Sequence, residues 1–100
     1  MDRKNQIADQ LFTKVCEFFP KNVRGCLQSK PEYDVNGNLS AIVIRGRFQK
    51  GLPQYDAKLI ELISGQVSEK EENAVEIRGQ WQNIPCRLQL RSETMATAGV

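Results

Sequence analysis

Between residues 3 and 19 the apolar side chains Ile7, Ala8, Leu11, Phe12, Val15, Phe18 and Phe19 recur at spacings of three and four. That period matches a helical turn, so the segment predicts one amphipathic helix with a single buried stripe. Asp2 is placed to cap its start. Pro20 is placed to stop it, because proline disfavours helical geometry in the residue before it.

Beyond Pro20 the period changes to two. A short motif recurs as Val23-Arg24-Gly25-Cys26-Leu27-Gln28, Ile44-Arg45-Gly46-Arg47-Phe48-Gln49 and Ile77-Arg78-Gly79-Gln80-Trp81-Gln82, with a weaker copy at Ile63-Ser64-Gly65-Gln66-Val67-Ser68. The copies are irregularly spaced, which rules out a solenoid. In an extended chain the aliphatic, glycine and large apolar positions fall on one face, and the arginine, variable and glutamine positions on the other. Each copy therefore predicts a half-buried strand. Its glycine serves either a bulge or the close approach of a bulky neighbour.

Asn36-Gly37 is a strong hairpin signal and turns a strand over 23–33 back into one over 39–50. Residues 68–73 predict a second, charged turn, and residues 70–72 and 94–100 carry no pattern that would order them. The last strand, 84–92, points Ile84, Cys86, Leu88 and Leu90 one way and Arg87, Gln89 and Arg91 the other; Pro85 assigns its early part to a sheet edge. Residues 54–63 suit one face of a short helix nearly as well as a buried strand, and the strand is the reading adopted.

These elements predict a two-layer α+β fold, with the N-terminal amphipathic helix packed on a curved antiparallel β-meander of four to five strands. In element order alone this resembles the cystatin-like arrangement. A small OB-like barrel is the alternative if 54–63 is helical. One hundred residues suffice for one domain, taken as residues 1–93 with a disordered tail over 94–100.

Composition narrows the class. The chain is 40% hydrophobic and 26% charged, the balance of a folded protein. No apolar run reaches membrane-spanning length and the N-terminus has no signal-peptide core, so neither a membrane nor a secretory role is expected. Cys16, Cys26 and Cys86 are odd in number and far apart, which fits a reducing, cytoplasmic compartment.

Net charge is only +2, but it is unevenly spread. Residues 1–20 balance; 21–51 carry six basic and two acidic side chains; 52–76 carry two basic and six acidic; 77–100 carry three basic and one acidic. Strand alternation places every arginine except Arg3 on one outward face: Arg24, Arg45, Arg47, Arg78, Arg87 and Arg91, with Gln49 and Gln80 among them. Guanidinium groups fork onto phosphates and glutamine reads amide or base edges, so this face suits an anionic partner such as single-stranded nucleic acid or RNA. The same side chains also serve an ordinary solvated sheet face. Phe48 and Trp81 fall by parity on the core side, which leaves no stacking platform among the arginines.

Catalysis finds little support. There is no histidine, no paired cysteine motif for zinc and no glycine-rich phosphate loop between a strand and a helix, so a non-catalytic protein without metal or cofactor is expected. Two functions remain: a module binding an anionic partner through the Arg/Gln face, or a protein-interaction or assembly subunit, including a homo-oligomer. If four of the arginines neutralise phosphates of a single strand, log affinity falls against log salt with a slope of about −3, read directly by titration at several salt concentrations.

Overall fold

Helix α1 (Arg3–Cys16) forms from the stripe and buries Ala8, Leu11 and Val15. The computed structural model describes residues 3–93, so the Asp2 cap and the 94–100 tail lie outside the described residues. The helix ends three residues earlier than its apolar period. There the turn tightens, with the Phe18 N–H donating to Val15 O (3.0 Å) and the Phe19 N–H to Cys16 O (3.1 Å). The tighter turn carries Phe19 into the core, where its ring stacks on Phe48 with centroids 6.2 Å apart.

The first motif copy departs from the strand reading. Lys21–Cys26 is a 3-10 helix after Pro20, and Arg24 turns back to donate from Nε to Phe19 O at 3.0 Å. Strand β1 (Leu27–Tyr33) starts only afterwards and pairs antiparallel with β2 (Leu39–Phe48). The turn between them is the expected one: Asp34 Oδ1 accepts from the N–H groups of Asn36 (2.8 Å) and Asn38 (2.9 Å), and Gly37 supplies the left-handed φ of 80°.

Residues 54–63 are not a strand. Asp56 caps a short helix, α2 (Ala57–Leu62), by accepting from the Lys58 N–H at 2.9 Å, and the segment buries Leu59 and Ile63. This changes the topology. As a strand the segment would have paired beside β2. As a helical connection it carries the chain to the far edge, where β3 (Gln66–Glu71) starts and from which β4 (Ala74–Trp81) and β5 (Ile84–Ser92) return toward β2.

The sheet order is β1-β2-β5-β4-β3, with β2 and β5 parallel and the other neighbours antiparallel. The expected all-antiparallel meander, and the cystatin-like element order with it, is thus corrected to a mixed sheet. The sheet is open and not a barrel, although α2 is helical. Pro85 belongs to the central strand, but it pairs only with Gln80; pairing to β2 begins at Cys86, so the proline faces no partner that needs its missing N–H.

Two tight turns complete the meander. Residues 68–71 belong to β3, and the charged turn shrinks to Glu72 and Asn73. Between β4 and β5, Gln82 (φ 52°) and Asn83 (φ 67°) make the doubly left-handed turn that matches strand twist.

Both strand glycines make room rather than bulges, and the ladders run through them unbroken. At Gly46 a Cβ would lie 2.7 Å from the Phe48 ring and 2.9 Å from Leu27. At Gly79 it would collide with Ile63 O, while the next residue, Gln80, donates its N–H to that same oxygen at 2.7 Å. Both helices contribute to the same core, and it lies on one face of the sheet: Leu11, Val15, Phe19 and Leu59 pack with Ile42, Ile44, Phe48, Ile77, Leu88 and Leu90. Among the described residues neither α-helix packs on the other face, which only the end of the 3-10 helix, at Gly25 and Cys26, borders. Among the described residues no helix is long and apolar enough to cross a membrane.

Overpacking against backbone has little room to relax, so Gly79→Ala is expected to cost about 3 kcal/mol in urea unfolding. Gly25→Ala, with nothing within 4 Å of the added carbon, should stay within about 0.5 kcal/mol of wild type.

Candidate functional site: the open sheet face

The strand registers fix which side chains stand beside one another on the open face. One row across the strands reads Arg47, Arg91, Ala74, Glu71. The next reads Gln28, Arg45, Gln89, Glu76, Glu69, and the third Lys30, Val43, Arg87, Arg78, Gln66. Val43 is only 2% exposed on this face, where its register neighbours are the long polar side chains Lys30 and Arg87.

The first two rows line an open trough of about 720 Å³. Lys30, Arg45, Arg47 and Arg91 stand toward the β1–β2–β5 side, and Glu69, Glu71 and Glu76 toward β3–β4. The face is therefore polar in charge from one edge to the other. Three sequence-predicted residues, Arg45, Arg47 and Arg91, come together here. Arg87 and Arg78 lie one row on, and Gln80 further along β4 beside Pro85. Gln49 is exposed just past the end of β2, and Arg24 is withdrawn into the 3-10 helix.

A hydrogen-bonded ladder crosses the middle row. Arg45 Nε donates to Gln89 Oε1 (3.1 Å), and Gln89 Nε2 donates to Glu76 Oε2 (2.9 Å). Glu76 Oε1 also accepts from Ser68 Oγ and Arg78 Nε, both at 2.8 Å. Three donors on one carboxylate favour its charged form. The Gln89 and Ser68 bonds, opposed by partial burial and aided by Arg78, bring its pKa from 4.5 down to about 2.

Register sets Glu69 opposite Glu76 and two pairs of arginines directly opposite each other, Arg47 with Arg91 and Arg87 with Arg78. Such arginine pairs destabilise a sheet unless a carboxylate intervenes. Arg78 has Glu76, Arg87 has Glu32 at 3.4 Å, and Arg47 has Glu93 at 3.2 Å. Arg91 and Lys30 form no ion pair among the described residues.

Strand alternation sets Glu76 and Glu93 among the outward arginines, but sequence reasoning missed the rest of the acidic side of this site. Glu69 and Glu71 read as turn residues, and only the position of β3 at the far edge brings them onto the face. Glu32 was missed as well, although its alternation with Lys30 is the signal that would have found it. As expected from parity, Phe48 is buried and Trp81 sits on the core side, so the three rows contain no aromatic ring. Tyr33 is exposed at the end of β1, and Tyr55 packs against the core.

The cysteines are free thiols. Burial pushes Cys86 up to about 11 and raises Cys16, the latter partly offset by Arg24. Among the described residues no group of three or more metal-ligating side chains converges. The chain matches no known family model, no curated protein and no solved structure.

Because the Glu76 pKa is depressed in the fold, its charge stabilises the protein above the ordinary carboxylate range, and this contribution is lost as pH falls toward 2. Glu76→Gln is expected to be less stable than wild type by about 1–2 kcal/mol at neutral pH. Urea titrations should show that gap narrowing as the pH is lowered from about 5 to 3. A gap that ignores pH would disprove the ladder's role.

Proposed function

We propose that this is a non-catalytic interaction domain that docks a protein partner on the open face of its sheet by charge. The observation that carries this is the opposition of a basic side, with Lys30, Arg45, Arg47 and Arg91, to an acidic side, with Glu69, Glu71 and Glu76, across one trough. A partner presenting carboxylates to the first and cations to the second uses the whole surface. Complementary potentials of this kind steer encounter and fix orientation.

A second reading is favoured by one observation, the crowding of Arg47 against Arg91, which holds no carboxylate among the described residues. Phosphates of a single-stranded nucleic acid or RNA would relieve it. Such a strand is confined to a lane along β2 and β5, because Glu69, Glu71 and Glu76 repel it on one side and the rows offer no ring for base stacking. One phosphate on each of Arg45, Arg47 and Arg91 gives a salt slope of about −2.

Fluorescence anisotropy with labelled single-stranded DNA and RNA, at low and physiological salt, separates the two. Wild type should bind weakly at low salt and lose binding at physiological salt, and Arg45→Ala, Arg47→Ala, Arg91→Ala should abolish even the weak binding. Tight binding that survives physiological salt and disappears in the folded triple variant would overturn the protein-docking reading in favour of nucleic acid.

A further inference from the structure

We infer that the partner of the open face is a second copy of this chain, docked face to face about a two-fold axis parallel to the strands. This rests on the reading of that face as a docking surface. The charge layout selects the axis. A two-fold running across the strands would lay β2 on β2 and arginine on arginine. A two-fold along the strands reverses strand order while keeping each row level with itself, so the basic side of one copy lies over the acidic side of the other.

Placed between β5 and β4, that axis sets β2 over β3 of the second copy. Arg47 and Glu71 share a row, as do Arg45 and Glu69, so each arginine meets a glutamate at its own level. By symmetry each contact occurs twice, giving four ion pairs. Over the inner strands Arg91 meets Ala74 and Gln89 meets Glu76. The one like-charge approach is Arg87 over Arg78, and each of these already holds a carboxylate, Glu32 and Glu76 respectively.

The trough also favours this contact. Two concave surfaces meet first at their rims, and here one rim is acidic and the other basic. The Arg47–Glu93 pair does not lock the surface: its side chains are 74% and 47% exposed, and an exposed pair of this kind contributes little in water. Arg47 is free to exchange partners at small cost.

Sedimentation equilibrium of the full chain from about 10 µM to 1 mM tests this, because polar interfaces of modest area associate in the micromolar range. Wild type should rise from the 11.4 kDa monomer toward twice that mass, with association weakening at least tenfold as added salt screens the pairs. The double variant Arg45→Glu, Arg47→Glu should be monomeric, as should Glu69→Arg, Glu71→Arg. An equimolar mixture of the two variants should recover a dimer, since each now offers the opposite charge at both positions. Circular dichroism establishes that both variants are folded. A wild type that stays monomeric throughout, or a dimer that persists in either variant, would overturn the inference. A monomeric wild type would leave docking of a different protein standing, and that broader reading fails separately in the oligonucleotide assay.

Discussion

The contact between Gly79 and Ile63 is the constraint on which the architecture depends. With no side chain at Gly79, the exit of α2 comes down onto the backbone of β4, and Ile63 O accepts the Gln80 N–H there. The segment between β2 and β3 is thereby anchored on the far part of the sheet. Strand β3 then starts outside β4, and the next free position beside β2 falls to β5. A parallel pair at the centre of an otherwise antiparallel sheet is the result.

That topology converts an asymmetry along the chain into one in space. The basic stretch of residues 21–51 supplies β1 and β2, and the acidic stretch of 52–76 supplies β3 and the start of β4. A simple meander would have placed these stretches side by side. Sending β3 to the opposite edge puts β5 between them and leaves each stretch at its own edge of the sheet. The Arg45–Gln89–Glu76 ladder then spans the boundary and holds the two sides in fixed register.

What the sequence makes legible is local. The helical stripe, the Asn36-Gly37 turn, the parity of Phe48 and Trp81, and the outward placement of Arg45, Arg47, Arg78, Arg87 and Arg91 all follow from periodicity, which depends on near neighbours alone. The segment 54–63 was not legible, because Leu59, Ile60, Leu62 and Ile63 satisfy both periods, and the deciding features were the Asp56 cap and the space above Gly79. Misreading that one segment hid the parallel pair and the place of Glu69 and Glu71 on the face. Arg24 was misplaced for a different reason: Val23 finds a hydrogen bond back to Pro20 at 3.1 Å, so the motif coils locally instead of extending.

The parallel seam also has a kinetic meaning. On one side of it lies the β1–β2 hairpin, on the other the β3–β4–β5 meander, each closed by short turns and able to form from nearby residues. Joining them requires residues such as Arg45 and Gln89, 44 positions apart, to find one another after the loop between them has been organised. Non-local closure of this kind is the slow event in folding. The sheet is thus built as two sequence-contiguous pieces docked along β2 and β5, and cutting the chain between Phe48 and Ala57 would leave fragments with complementary edges, suited to reassembly in trans.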